Sequence, residues 1–205
     1  MANIAIINYA LGNLRSVYNA IGAVGGNAYI AHQPNDIDDA THVILPGVGS
    51  FNDGITQLKE HGWIEVIERH VHSGRPFLGI CLGMQLLATE GFENGCHRGL
   101  DIIPGRVERL TPNNGELRVP HVGWNDVTFS RTGKLNNGVE NQADYYFVHS
   151  YAFIPNENGV ALGTCDYGGR FVAVLEHENV FATQFHPEKS QKAGLALLKN
   201  FVELV

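Results

Sequence analysis

The residues best placed for chemistry lie in RPFLGICLGMQLLA, where an apolar run reaches Cys81 and a helical stretch follows at once. Gly79 and Gly83 stand two residues to either side. This G-x-C-x-G string has the spacing of the G-x-S-x-G strand-to-helix elbow, whose strained corner lifts a nucleophile above a sheet while small neighbours admit backbone and substrate. The elbow also sets the sulfur at a helix N-terminus. The attacking species is a thiolate, and a free cysteine with a pKa of about 8.5 is only about 3% ionised at pH 7. Lowering that value by about two units needs about 2.7 kcal/mol, beyond the roughly 0.3–1 kcal/mol of a helix dipole, so a cationic histidine is expected beside it. A lone cysteine is more often a small buried apolar residue; Cys96, in a Gly-rich turn, and Cys165, at a strand end, lack an elbow and are read as structural.

Ten histidines compete for the role of base. His32, His42, His61, His70, His72, His97 and His177 fall in turns or on element faces, where a solvated or hydrogen-bonded ring is the ordinary outcome. No His/Cys cluster has zinc spacing, and the chemistry proposed needs neither a metal nor an organic cofactor. His186 differs because FATQFHPEKS closes an apolar strand and supplies Glu188 two residues later. Residues i and i+2 of a strand share a face, so the carboxylate is expected to orient the ring and stabilise the imidazolium formed when it takes the thiol proton. Upstream, THVILPGVGSF ends a strand in Pro46-Gly47-Val48-Gly49, putting pliable backbone at the C-terminal sheet edge. Its N–H groups, with that of Leu82 after the nucleophile, are candidates for a two-donor oxyanion hole; a plain turn and a phosphate loop are the alternatives.

These residues require a scaffold that brings distant segments to one edge. In the first half, Ile4–Ile7, Val43–Leu45 and Phe77–Ile80 alternate with helical stretches at Leu14–Ile21, Ile55–Val71 and Leu82–Ala88, the pattern of a parallel sheet with helices on both faces. Beyond Pro104 come shorter strand-like pieces, Arg106–Leu110, Val127–Phe129, Tyr145–Val148, Gly159–Thr164, Phe171–Glu176 and Val180–Gln184. Turn signals such as Asn113-Asn114-Gly115, Asn136-Asn137-Gly138 and Asn158-Gly159 separate them. Ser190–Val205 carries Leu195, Leu198, Phe201 and Val202 on one expected helical stripe.

No linker or repeat divides the 205 residues, so 1–205 is read as one domain. Lys and Arg total 14 against 21 Asp and Glu, a net charge of −7, which gives no support to a phosphate-binding surface. Apolar runs fall far short of the roughly 20 residues that span a bilayer. The start MANIAIINYALGN lacks the basic opening of a signal peptide, and three cysteines form no disulfide framework. A cytoplasmic location follows as an expectation.

The elbow GICLGMQLL, downstream QFHPEKS and upstream LPGVGSF together resemble the class I glutamine amidotransferases, over nearly the whole chain. The resemblance implies a flavodoxin-like α/β fold, an open and mostly parallel twisted sheet with a more antiparallel, β-rich C-terminal half. It also implies hydrolysis of the glutamine side-chain amide by Cys81 as nucleophile, His186 as base and acid, and Glu188 as orienter. Gly49, Gln85, Glu93, Ser150 and Tyr151 would line the glutamine pocket, and Val48 and Leu82 would supply oxyanion amides. Within the family, NYALGNLRSV, PHVGWN (Pro120–Asn125) and YYFVHSY (Tyr145–Tyr151) are similar to the branch that works beside a separate (β/α)8 cyclase in histidine biosynthesis. That likeness implies that Asn13, Trp124, Tyr146 and Lys189 face the cyclase, and that the backbone at Val48 turns into position when the partner binds. Three other readings stand beside it: a glutaminase serving another synthase, such as one that modifies a surface-polysaccharide sugar; a stand-alone cysteine hydrolase; and a non-catalytic binding subunit.

Overall fold

Each N-terminal strand carries two apolar faces, because residues alternate sides along a strand and both sides here must be covered. The computed structural model describes residues 2–112 and 117–204; the turn expected at Asn113-Asn114-Gly115 lies outside the described residues. In chain order come β1 (Asn3–Ile7), α1 (Leu14–Ala23), β2 (Asn27–Ala31), β3 (His42–Gly47), α2 (Phe51–Glu60), α3 (Trp63–His72), β4 (Phe77–Cys81) and α4 (Leu82–Gln85). The second half adds β5 (Glu90–Gly91), β6 (His97–Arg98), β7 (Gly105–Arg109), β8 (His121–Phe129), β9 (Ala143–His149) and β10 (Tyr151–Pro155). It ends with β11 (Ala161–Asp166), β12 (Arg170–His177), β13 (Val180–Thr183) and α5 (Gln191–Val202).

The main sheet has nine strands in the order β2-β1-β3-β4-β13-β12-β11-β8-β9. From β2 to β13 all neighbours are parallel. From β13 to β9 all are antiparallel. The parallel half has the strand order of a flavodoxin-like sheet, with β13 as its fifth strand. A smaller sheet, β10-β7-β5-β6, packs beside it. Ala5, Ile7, Val43 and Leu45 face Leu58, Trp63 and Ile67 of α2 and α3 on one side. Ile4, Ile6, Ile44 and Ile80 face Val17 and Ile21 of α1 and Leu197, Leu198 and Phe201 of α5 on the other.

Several boundaries differ from the sequence expectation for local reasons. The stretch Ile55–Val71 is two helices, because Gly62 turns left-handed at φ 72° and starts α3 afresh. The expected helix Leu82–Ala88 keeps regular form only to Gln85. β8 begins six residues before Val127, and the outward side chains of Val122 and Trp124 hide its alternation. The buried stripe of α5 is Gly194, Leu197, Leu198 and Phe201, with Leu195 and Val202 at its half-buried edges. β2, β5, β6 and β10 have no counterpart in the expected strands.

The elbow depends on two close approaches. A Cβ on Gly83 would overlap the Leu45 carbonyl oxygen of β3, and one on Gly79 would press on the Gly83 carbonyl. Both are backbone atoms that cannot yield. Gly83→Ala is therefore expected to destabilise the protein by about 3 kcal/mol, the upper end of overpacking costs. Gly22→Ala in α1, with nothing within 4 Å of the new methyl, should stabilise by roughly 0.4–1 kcal/mol. Urea unfolding midpoints check both signs.

Candidate active site

Cys81 ends β4 and carries φ 55° and ψ −109°, a left-handed conformation that a non-glycine residue adopts only under constraint. The constraint comes from both neighbours in the sheet. β3 pairs Gly47 with Cys81, and β13 pairs Thr183 with Ile80. The nucleophile thus stands at the C-terminal edge of the parallel half, with the Pro46–Gly49 loop on one flank and the segment leading to His186 on the other.

His186 follows β13 in extended conformation and starts a 3-10 turn, Pro187–Lys189. Its Nδ1 lies 2.8 Å from Glu188 Oε1, with both side chains no more than 3% exposed. The expected His–Glu contact is present, but the turn makes it rather than the alternation of a strand. Ser190 fixes the ring's backbone: its Oγ donates to the His186 carbonyl at 2.6 Å and accepts from Tyr146 N at 3.0 Å. The far nitrogen, Nε2, is buried without a hydrogen bond of good distance and angle. Cys81 is among the groups that act on this ring. Burial is the largest single influence on the ring and opposes protonation, but contact with Cys81 and then Glu188 outweighs it and raises the His186 pKa to about 9. A ring so biased keeps the proton that the thiol gives up.

A cavity of about 280 Å³ opens onto the sulfur. It is lined by Val48, Gly49, Leu82, Gln85, Glu93, Ser150 and Tyr151 as well as Cys81, so every residue expected for the glutamine pocket and the oxyanion hole meets there. Glu93 comes from a loose surface stretch, yet its carboxylate accepts from Phe51 N at 2.8 Å, beside Ser50, which caps the same helix α2. A larger cleft of about 550 Å³ between β7, β10 and β12 has neither cysteine nor histidine in its wall.

Trp124 and Tyr146 pair across β8 and β9 with ring centroids 6.0 Å apart, and Lys189 Nζ sits 5.8 Å from the Tyr146 ring. Asn13 is engaged locally, accepting from Ser16 N at 3.3 Å to cap α1. Of the other histidines, His70 Nε2 bonds the Pro76 carbonyl, His42 packs edge-on to Phe201, and His61 and His72 bond carbonyls of their own helices. Among the described residues no group of three His, Cys, Asp or Glu could hold a metal ion. No described helix is long and apolar enough to cross a membrane.

The sequence reading missed a buried network behind the pocket. Gln184 Nε2 lies 3.8 Å from Cys81 Sγ, and Gln184 Oε1 accepts from Gln85 Nε2 at 3.0 Å. His149 Nδ1 meets the Tyr151 carbonyl at 2.9 Å, and His149 Nε2 meets His121 Nδ1 at 3.1 Å. Only the adjacency of Gln184 to the His-Pro-Glu string and of His149 to Ser150 pointed toward them.

The site's class now follows from both geometry and kinship. The family model "Glutamine amidotransferase class-I" matches residues 6–204. The chain belongs to the class-I glutamine amidotransferase family. It is 49% identical to a protein of Syntrophotalea carbinolica named imidazole glycerol phosphate synthase subunit HisH, over 98% of this chain and the whole of that one. Proteins with the same name from Geobacter sulfurreducens and Aquifex aeolicus are 46% and 45% identical, covering 100% of both chains for the former and 96% of this chain and 94% of that one for the latter. Its fold is similar to the solved structure of PurLQS from Thermotoga maritima, with TM-score 0.78 at 17% identity over 98% of each chain. A structure titled glutamine amidotransferase gives TM-score 0.75 at 20% identity, covering 98% of this chain and 99% of that one.

Burial holds His121 and His149 neutral, with pKa values of about 4. A folded-state value below the ordinary 6.5 means that the unfolded chain takes up protons first, so this stability is complete above about pH 6.5 and is lost as pH falls toward 4. For one ring the difference is worth about 3 kcal/mol. The urea midpoint should fall across that window, and fall less steeply in His121→Phe, whose ring keeps the stack on Tyr167 and Phe147.

Proposed function

We propose that this chain is the glutaminase subunit of an imidazole glycerol phosphate synthase, hydrolysing L-glutamine to L-glutamate and ammonia for a cyclase partner. The observation that carries the reading is the buried Glu188–His186 pair beside Cys81 at the mouth of a pocket sized for one amino acid. Full-length similarity to subunits named HisH supports the particular acceptor over a polysaccharide synthase. A cavity at the small end of the usual range of about 300–1,000 Å³ favours glutamine over the peptides of a stand-alone hydrolase.

In this mechanism the Cys81 thiolate adds to the γ-carbonyl of glutamine while His186 holds the former thiol proton. The tetrahedral oxyanion is met by the N–H groups of Leu82 and Val48, each such donor being worth about 10²–10³ in kcat. His186 then protonates the amine as the C–N bond breaks, releasing ammonia and leaving a γ-glutamyl thioester on Cys81. A water loses a proton to His186 and attacks the thioester, and the departing sulfur leaves glutamate and a free enzyme. Glu188 keeps the ring turned and carries a countercharge throughout. Gly49, Gln85, Glu93, Ser150 and Tyr151 hold the amino acid.

The partner face in this reading is the outer side of β8 and β9. Val122, Trp124 and Val148 are solvent-exposed there, Trp124 to 47%. Val48 is also exposed, and both Val48 and Val148 line the cavity, so the apolar face runs without a break into the pocket mouth. Docking a cyclase on Asn13, Trp124, Tyr146 and Lys189 would cover that mouth and give ammonia a dry exit. The advantage is chemical: in bulk water ammonia is mostly protonated and has no lone pair to attack with. Gly47 and Gly49, the latter at φ 116°, leave the peptide before Val48 free to turn when the partner binds. Three unpaired cysteines agree with a reducing cytoplasm.

Cys81→Ala should abolish glutamate release, and His186→Ala should lower kcat by about 10²–10⁴. Glutaminase activity should be slow for the chain alone and rise steeply with the cyclase and its nucleotide ligand. In calorimetric titration Trp124→Ala should weaken cyclase binding by about 2 kcal/mol, the scale of an interface hot spot, with the glutamine pocket unaltered.

A further inference from the structure

Gln184 is wholly buried, and no step above uses it. The peptide that carries it is fixed, since Gln184 N donates to the Ala173 carbonyl at 2.8 Å. Its side-chain orientation is also fixed, by a chain of groups whose donor and acceptor roles leave no choice. The Tyr151 carbonyl can only accept, so Gln85 turns its Nε2 toward that oxygen, at 2.9 Å. The remaining Gln85 proton points to Gln184, which must answer with its oxygen, at 3.0 Å. The Gln184 amide nitrogen is thereby aimed at Cys81 Sγ, 3.8 Å away.

A second neighbour of the sulfur is the Val148 carbonyl at 3.9 Å, which accepts a proton from a thiol and repels a thiolate. Gln184 supplies the reverse preference, because an N–H aimed at sulfur favours the anion. Of the titratable groups around this sulfur, Glu93 and Tyr151 line the same cavity. His186 lies beyond β13, with Glu188 behind it; Tyr9 lies beyond β1 and is kept neutral by burial, with Cys81 adding to the effect; His149 ends β9 and is neutral. Only His186 brings positive charge, and it serves both steps of the reaction as a proton carrier. A fixed neutral donor is what stays constant while that charge comes and goes.

We propose that Gln184 is a hydrogen-bond donor to the nucleophile, holding the Cys81 sulfur as a thiolate, with Gln85 locking the amide. This role rests on the reading of Cys81 as nucleophile. It links the substrate pocket to the reactive sulfur through one side chain, so Gln85 has a second duty beyond contacting glutamine.

The test is the rate of alkylation of Cys81 by iodoacetamide between pH 5 and pH 9, followed by peptide mass spectrometry on the full chain. Exposed Cys96 serves as an internal reference. In Gln184→Leu the midpoint of the Cys81 curve should rise by about one pH unit, a tenfold change in thiolate fraction, and in Gln184→Glu by more, because a carboxylate then faces the sulfur. The Cys96 curve should not move. Steady-state kinetics of Gln184→Leu should show kcat lowered about tenfold with KM for glutamine nearly unchanged. Should the Gln184 variants fail to fold, Gln85→Met decides: it frees the Gln184 amide to rotate and should shift the midpoint the same way by a smaller amount. An unmoved midpoint in a folded variant overturns the role. If alkylating Cys81 in the parent protein leaves glutaminase activity intact, the nucleophile reading itself fails; if it abolishes activity while Gln184 variants titrate like the parent, only the role of Gln184 falls.

Discussion

The contact between His186 Nδ1 and Glu188 Oε1, 2.8 Å long and almost sealed from water, constrains more of this molecule than any other. A carboxylate taken out of water must be paired, and the second oxygen of Glu188 has no hydrogen-bond partner among the described residues. Its charge is therefore answered through the imidazole, which favours the protonated ring despite a burial that opposes it. A ring held in that state needs an anion on its other side, and the sulfur of Cys81 is the group positioned to become one. The ring and the carboxylate form a buried pair whose parts are each costly alone.

That pair and the sulfur span two neighbouring strands of one sheet, which explains the architecture around them. The carboxylate and ring arrive on β13, strand five of the parallel half, although the chain has first built the antiparallel strands and the smaller sheet. Parallel pairing of β13 with β4 then sets the ring beside the elbow. On the other flank, β3 brings its glycine loop level with Cys81. The elbow itself is compressed by Gly79 and Gly83 against backbone that cannot move, so the left-handed Cys81 is held by its surroundings and not by its own preference.

Legibility from sequence followed the same division. Cys81, His186 and Glu188 could be read because each sits in a short string whose spacing has a mechanical meaning, and the parallel strands β1, β3, β4 and β13 because their apolar runs are unbroken, unlike the half-buried β2. The reason given for His186 and Glu188 was nonetheless incomplete, since Pro187 turns the chain and a 3-10 turn makes the contact. β8 escaped notice over most of its length because the apolar Val122 and Trp124 point outward and break the expected alternation. Gln184 and the pair His121–His149 were invisible for another reason: their meaning lies in which polar atom faces which, across segments far apart in sequence. Glu93, known only through the family resemblance, gains a physical basis as a ligand of the α2 N-terminus.

The central claim is that Cys81 forms a covalent bond to the side-chain carbonyl carbon of an amino acid in this pocket. Incubation with a glutamine analogue bearing an electrophilic ketone in place of the side-chain amide, followed by mass mapping, tests it directly. The account predicts a single adduct on Cys81, forming more slowly when glutamine is present. An adduct confined to Cys96 or Cys165, or labelling of Cys81 that glutamine does not slow, would contradict it.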